Sequence, residues 1–157
     1  MKWLRSLFGR QAPEPLVKWN DPDFGPITFD GDDTAIWQSD DGARFEGPNA
    51  RYGFSAIPGD QDGPFPWART FLVRKKQEIP ALWALCTPSL EAACERWKAK
   101  GLRPPVENQF TLNSLSLEGD FASSGKREVG FEARGDFWMY VAVRVVGDRV
   151  EGFTCHT

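Results

Sequence analysis

The chain has 157 residues, of which 41% are hydrophobic and 26% charged, and its formal net charge is −3. This length suits one domain that buries a core without disulfide or metal staples, and the composition excludes a disordered chain. A duplex-binding protein usually carries an overall basic footprint, so the acidic balance indicates no nucleic-acid partner.

The N-terminal residues 1–10 predict a short amphipathic helix, but Arg5 interrupts the apolar run that a signal peptide would need. No stretch approaches the ~18 apolar residues of a membrane span, so we expect a cytoplasmic protein. Three prolines predict an extended connector over residues 11–23. The expected division is therefore a helix and connector over residues 1–22, followed by a single α+β domain over residues 23–157. The apolar side of the predicted helix is formed by Trp3, Leu4, Leu7 and Phe8.

Residues 23–57 predict an antiparallel β-meander. Short β-prone runs lie at residues 27–29, 34–37, 43–46 and 52–57, and turn residues separate them. Asp41-Gly42 is a strong two-residue hairpin signal, because both central positions of a type I′ turn need positive φ.

A central helical pair follows. The first helix is predicted to start near Pro66, since proline suits the first helical turn, and Pro80 is expected to break or kink it. The second is predicted to start with Thr87 as N-cap and Pro88 at the first position, and Gly101 is expected to end it in the left-handed conformation. The buried stripe expected on this helix follows the i, i+3, i+4, i+7 spacing of Leu90, Ala93, Cys94 and Trp97.

After residues 104–105, both proline, the pattern predicts a second, C-terminal antiparallel β-meander. Apolar residues at 110, 112, 115 and 117 alternate in two phases, which predicts a β-bulge around Asn113-Ser114. The longest strand is expected over residues 137–146, and Gly147-Asp148 is predicted to turn the chain into a closing strand. We expect no strand–helix–strand alternation and hence no parallel nucleotide-binding sheet.

No motif reaches the standard of a catalytic, metal or cofactor site, so we predict none of these. Cys86 and Cys94 fall in predicted apolar helices, and the single histidine, His156, is next to last in the chain. The segment from Gly119 to Lys126 has one residue too many for a phosphate-binding loop. Asp60 and its neighbours cannot complete a calcium loop of the EF-hand type.

Charge is unevenly distributed. Residues 20–65 contain ten acidic and two basic side chains, a net of −8, whereas residues 66–103 carry a net of +5. Acidic hairpin tips could face a basic protein partner, since complementary fields accelerate association. The alternative is that the acidic turns and basic helix ends are solvated or pair with each other. The predicted contact residues are Asp32, Asp33, Asp40 and Asp41, with Trp37 as either an anchor or, more often in such a strand, a core residue.

Two segments resemble bacterial domain-of-unknown-function families, some of whose members look like immunity proteins encoded beside polymorphic toxins. The first is residues 23–30 followed by Trp37, and the second combines residues 110–117 with the Gly135–Trp138 step into residues 141–143. Members of these families often have Gly-His after the Phe-Trp step, whereas this chain has Met139-Tyr140. The resemblance implies a meander, helices and a closing sheet, and a role in binding a toxin.

The leading hypothesis is thus a non-catalytic protein-binding domain and, in its narrower form, a toxin-neutralising immunity factor. One alternative is a small-molecule or carbohydrate binder whose aromatic cleft lies between sheet and helices. Another is a hydrolytic enzyme without a recognisable motif, which would need convergent polar groups with perturbed titration. The residues expected to line the aromatic cleft are Trp19, Tyr52, Trp67 and Trp138.

Overall fold

A computed structural model describes residues 17–30, 36–39, 45–47, 50–117, 121–133 and 137–157. The strands are β1 Lys18–Asp21, β2 Gly25–Asp30, β3 Ile36–Ser39, β4 Phe45–Gly47, β5 Ala50–Asp60, β6 Gly63–Pro64, β7 Phe110–Leu117, β8 Lys126–Ala133, β9 Tyr140–Val146 and β10 Arg149–His156. The helices are α1 Pro66–Gln77, α2 Ile79–Arg96 and α3 Phe121–Ser124, with 3-10 turns at Lys98–Lys100 and Val106–Asn108. The predicted α+β class, with a central helical pair, is confirmed.

One sheet contains both predicted meanders. Its strand order is β1-β2-β3-β5-β7-β8-β9-β10, while β4 and β6 pair with β5. The pairs are antiparallel except for β5 and β7, which run parallel in a register that places Phe54 opposite Leu115. A parallel pair needs a long crossover, and α1 and α2 provide it. The sequence analysis expected no strand–helix–strand alternation, and it did not foresee this one parallel crossover.

The sheet begins earlier than the predicted domain boundary. Residues 18–21, assigned from sequence to the extended connector, form β1 and pair with β2 from Lys18 opposite Thr28 to Asp21 opposite Gly25. Asp21 closes the intervening turn, because its Oδ1 accepts hydrogen bonds from the backbone N–H groups of Asp23 (2.8 Å) and Phe24 (3.1 Å). This first hairpin therefore belongs to the folded sheet.

Helix α1 begins at Pro66 as predicted, and the break expected at Pro80 occurs at Glu78, which leaves Pro80 in the first turn of α2. The predicted helix start at Thr87 was wrong, since α2 runs through Pro88 without interruption. Thr87 instead donates its hydroxyl to the carbonyl of Trp83, 2.9 Å away. Apolar residues on both sides of Pro88 are buried, and this continuous burial outweighs the cost of an internal proline. The buried hydrophobic residues of α2 are Leu82, Trp83, Cys86, Leu90, Ala93 and Cys94.

The C-terminal half follows the predicted pattern closely. The β7–β8 register shifts between Leu112 and Ser114, which confirms the bulge. Gly101 has φ 93° and ends the 3-10 turn after α2, as expected. The strand predicted over residues 137–146 starts only at Tyr140, and the longest described strand is β5 with 11 residues.

The hydrophobic core lies between the helices and the sheet. Helix α2 packs on β9 and β10, and α1 packs on β5. Buried residues from β2 through β9 form one cluster, whose largest fully buried side chains are Trp37, Phe24, Phe110 and Phe131. Among the described helices, none is long and apolar enough to cross a membrane.

Candidate functional site

The predicted acidic contact residues, Asp32, Asp33, Asp40 and Asp41, lie outside the described residues. Trp37 is described, and it is a core residue. Its side chain is 1% exposed, and its indole N–H donates to the backbone carbonyl of Asp60, 2.9 Å away. A side chain with so little exposed surface cannot contact a partner, so Trp37 is not the anchor that was one of its two predicted roles.

Trp37 belongs to a group of three rings, which we call the Trp37 cluster: Trp19, Phe29 and Trp37. Trp37 itself is buried, whereas Trp19 at the edge of the group is 41% exposed. Trp19 meets Trp37 edge-on at 5.9 Å between ring centroids, and Phe29 lies 5.2 Å from it. The β5–β6 hairpin contacts Trp37 and Trp19 through two glycines. A Cβ on Gly59 would lie 2.6 Å from Trp37 Cδ1, and one on Gly63 would lie 2.2 Å from Trp19 Cζ3. Only glycine allows the hairpin to approach this closely.

The aromatic residues of the predicted cleft are dispersed. Trp19 packs into the Trp37 cluster, and Trp138 is 57% exposed, with its indole N–H donating to Glu132 Oε1 at 3.1 Å. The side chain of Tyr52 lies outside the described residues. Of these four residues, only Trp67 lines a described groove, and it does so with residues that the sequence analysis did not select.

Trp67 is part of a partly exposed run of rings, which we call the aromatic ladder: Phe65, Trp67, Phe121 and Phe71. Successive centroids lie 6.2 Å, 5.6 Å and 4.5 Å apart, and the Trp67 and Phe121 rings are almost parallel at 7°. Phe65 and Trp67 are each 37% exposed. These are among the few large hydrophobic side chains that the described part of the chain leaves so open to solvent.

Local backbone geometry holds the ladder in place. The N–H of Phe65 donates to the Pro58 carbonyl at 2.9 Å, and its own carbonyl accepts from the N–H of Arg69 at 3.0 Å. Trp67 and Phe71 are four residues apart, so they share one face of α1. Phe121 comes from α3, where its carbonyl accepts a hydrogen bond from the Gly125 N–H at 2.7 Å.

A shallow groove of about 540 Å³ runs along the ladder between α1 and α3. Its lining combines three rings of the ladder with one cation, Arg74. The residues that line it are Pro66, Trp67, Thr70, Phe71, Arg74, Phe121 and Ala122.

Three cations surround the Phe71 ring, and we call them the cation cluster: Arg74, Lys75 and Arg127. Their charged groups lie 5.7 Å, 5.6 Å and 5.5 Å from the ring centroid, within the range of cation–π attraction. Glu78 pairs with Lys75 at 2.6 Å and more loosely with Arg74 at 3.8 Å. The hydrogen bond from Lys75 is the main cause that lowers the pKa of Glu78.

Arg127 is the most unusual member of the cluster. It is 2% exposed, and its Nε and Nη2 have no hydrogen-bond partner within the described ranges. The Asp148 carboxylate, on an exposed turn, is 3.9 Å from Nη2. Burial lowers the pKa of Arg127, and the nearby Asp148 charge opposes that shift. A buried guanidinium with unmet donors is costly, and an additional anion nearby would offset part of the cost.

A second groove of about 630 Å³ lies where α1 meets α2. The indole N–H of Trp83, one of its lining residues, is buried and has no acceptor among the described residues. The residues that line this groove are Lys76, Gln77, Ile79, Pro80, Trp83, Ala84, Thr87 and Glu107.

The two buried thiols, Cys86 and Cys94, lack the features of reactive cysteines. Burial raises the pKa of Cys86 to about 12 and also raises the pKa of Cys94, so both remain protonated at neutral pH. His156 is exposed on β10, where its Nε2 lies 3.2 Å from the Thr154 hydroxyl. Across the described ranges, no three His, Cys, Asp or Glu side chains are arranged to hold a metal ion.

Part of the acidic and basic segments pair with each other, as one of the sequence alternatives proposed. Arg69 of α1 donates from Nη1 to Asp21 Oδ2 and from Nη2 to Asp23 Oδ2. The hydrogen bond to Asp21 is the main cause that raises the pKa of Arg69. This ion triad connects the first hairpin to α1. It pairs two charges of the acidic segment, those of Asp21 and Asp23, within the protein.

Comparison with known proteins finds no matching family, no similar curated protein and no similar solved structure.

Sequence reasoning selected Trp67 but missed Phe65, Phe71 and Phe121. One signal was available for Phe65: it directly precedes the proline that starts α1, a position outside the helix and its buried stripe. For Phe121 the sequence offered no signal, because its contact with Phe71 joins residues 50 positions apart.

Proposed function

We propose that this chain is a non-catalytic protein-binding domain whose partner docks on the aromatic ladder. The observation that carries the proposal is the stacked, partly exposed run of four rings along α1 and α3. Aromatic side chains, Trp above all, supply much of the binding energy at protein interfaces when a partner removes them from water. The buried, protonated thiols support a role without covalent catalysis.

The shape of the groove favours a polypeptide over a small ligand. The ladder places four rings in series, 4.5 to 6.2 Å apart, on an open surface. A small ligand usually occupies a concave site that covers most of its surface. An apolar helix or strand of a partner can instead cover several anchors in a row.

The test is capture of partners from a lysate of the source organism, quantified by mass spectrometry, with wild type, Trp67→Ala and Trp138→Ala. Trp138 is a matched control, because it is an exposed tryptophan that lines neither described groove. We expect wild type and Trp138→Ala to recover the same partner, and Trp67→Ala to lose at least about tenfold of it, as for an interface hot spot. Equal recovery by Trp67→Ala would refute the proposal.

The narrower hypothesis of a toxin-neutralising immunity factor remains a prediction. It rests on the family resemblance and on the acidic hairpin residues at 32, 33, 40 and 41. It predicts that the recovered partner is a toxin, basic where it meets those hairpins, and encoded by a neighbouring gene. Recovery of an unrelated partner would leave the protein-binding proposal intact and exclude the toxin hypothesis.

The second groove favours a different candidate function, binding of a small apolar ligand. Its volume of about 630 Å³ falls in the usual range for such sites, and the apolar residues Ile79, Pro80 and Trp83 contribute to its lining. A fragment library screened by thermal shift would test this with Ala84→Phe, which fills the groove, and Ala92→Phe, an exposed position on the same helix. Hits that survive Ala84→Phe would count against this site.

A further inference from the structure

We propose that the partner segment that docks on the aromatic ladder is acidic, and that Arg74 receives a carboxylate of that segment at the Phe71 end of the groove. This inference rests on the proposed protein-binding function and specifies the chemistry of the partner. It follows from the charges that surround one ring of the ladder.

Within the described residues, the cation cluster carries more positive than negative charge. Three cations lie within 6 Å of the Phe71 centroid, at 5.7, 5.6 and 5.5 Å, and the described acids paired with them are Glu78 and Asp148. The closer partner of Glu78 is Lys75, at 2.6 Å. The 3.8 Å separation between Glu78 and Arg74 is too long for a hydrogen bond, so the donors of Arg74 can serve another carboxylate.

Arg74 is placed to make the direct contact. It lines the groove beside Trp67 and Phe71, and its side chain is 62% exposed. A guanidinium can bind a carboxylate with two parallel hydrogen bonds, which fixes orientation as well as adding affinity. A partner segment that carries an acidic residue next to an apolar anchor could therefore contact Arg74 and the rings of the ladder at the same time.

Arg127 strengthens the preference without touching the partner. It is buried and does not line the groove, but its guanidinium carbon is 5.5 Å from the same ring. Charge that is poorly screened by water acts at longer range, so Arg127 raises the positive potential at this end of the ladder. A basic partner segment would be repelled there, which gives specificity as well as affinity.

The experiment selects from a random 12-residue peptide library displayed on phage, with wild type and Trp67→Ala as targets. We expect wild type to enrich peptides that combine aromatic or aliphatic residues with Asp or Glu, and Trp67→Ala to enrich none of them. An enriched peptide and its Glu/Asp→Gln/Asn counterpart are then synthesised, and their affinities are measured by titration calorimetry at two salt concentrations.

On wild type, the acidic peptide should bind about five- to tenfold more tightly than its amide counterpart, as for a charge-assisted hydrogen bond on a partly exposed surface. Arg74→Gln should reduce that ratio to below about twofold. Lys98→Gln is the control, because Lys98 is a 65% exposed cation that pairs with Glu95 at 3.5 Å and lines neither described groove. It should leave the ratio unchanged, and higher salt should lower the ratio on wild type.

The outcomes separate this inference from the function on which it rests. Trp67-dependent peptides without acidic enrichment, or a ratio that Arg74→Gln leaves unchanged, would overturn the inference and keep the docking surface. A selection that yields no Trp67-dependent peptide would count against both.

Discussion

Two groups of aromatic rings lie at opposite ends of the 59–67 segment, and they differ in how their tryptophans are used. Trp37 is buried at the centre of the first group, with Trp19, which is 41% exposed, at its edge, whereas Trp67 lies on an open groove in the second. In the Trp37 cluster, the indole N–H has a carbonyl acceptor at 2.9 Å, and two glycines bring a hairpin against the rings. In the aromatic ladder, the rings stack on one another, yet Phe65 and Trp67 each remain 37% exposed.

Two features make Trp37 a core residue. Its indole N–H has a backbone acceptor, and the neighbouring Gly59 lacks the Cβ atom that would hold the hairpin away from the ring. The ladder has ring neighbours but no covering element among the described residues. Its apolar surface is available to a partner, whereas that of Trp37 is already used in folding.

The largest expected effect comes from removing Trp37. Trp37→Ala deletes a ring that is 1% exposed and leaves a cavity against Trp19 and Phe29, so we expect a loss of about 3–5 kcal/mol in the free energy of unfolding. Urea denaturation followed by circular dichroism measures it. A loss similar to that of Trp138→Ala, the exposed control, would show that the cluster is not part of the core.

The ion triad that joins the first hairpin to α1 should give the next largest effect. The Asp21 side chain is fully buried, accepts two backbone N–H bonds and pairs with Arg69, which is 27% exposed. We expect Asp21→Ala to cost about 2–3 kcal/mol, below the value for a fully buried pair because its partner reaches solvent.

Asp21→Asn separates the two contributions, because the amide oxygen can still accept the turn hydrogen bonds while the charge is lost. Its cost should therefore be smaller than that of Asp21→Ala in the same urea denaturation series. Equal costs for the two variants would show that the ion pair, not the turn, carries the effect.

A third test addresses the close approach of the hairpin. Gly59→Ala would place a Cβ 2.5 Å from the Gly63 carbonyl oxygen and 2.6 Å from Trp37, so we expect a loss of about 1–3 kcal/mol from overpacking. Gly152→Ala is the control, since nothing lies within 4 Å of its added Cβ. Thermal unfolding of both variants measures the difference, and a neutral Gly59→Ala would mean that the hairpin can move away without cost.

Sequence patterns predicted secondary-structure features correctly where neighbouring residues in the chain determine those features. The two-phase alternation around Leu112 and Ser114 located the bulge, and Pro66 located the start of α1, because pleat and proline geometry act within a few residues. Thr87-Pro88 misled for the opposite reason: a strong local start signal was overridden by burial along the whole of α2.

Long-range pairing was beyond the sequence patterns. Nothing in residues 50–60 or 110–117 indicates that these strands lie side by side and parallel, because that contact is set by how the helical pair packs between them. The candidate site depends on the same kind of contact: Phe121 reaches Phe71, and Arg127 reaches the same ring, across 50 or more residues of chain. Hydrophobic periodicity reports which face of an element is buried, but not which distant element covers it.

The smallest expected effect on stability belongs to the ladder itself. Trp67→Ala removes the stack with Phe121 but little buried surface of the core, so we expect a loss of only about 1 kcal/mol, well below that of Trp37→Ala under the same conditions. If the ladder serves a partner, this variant should fold, unfold cooperatively and lose binding, which is the reverse of what an aromatic core residue does. A loss of unfolding free energy as large as that of Trp37→Ala would instead show that the ladder belongs to the core. A ring whose main contribution is to stability should lower the free energy of unfolding strongly when it is removed.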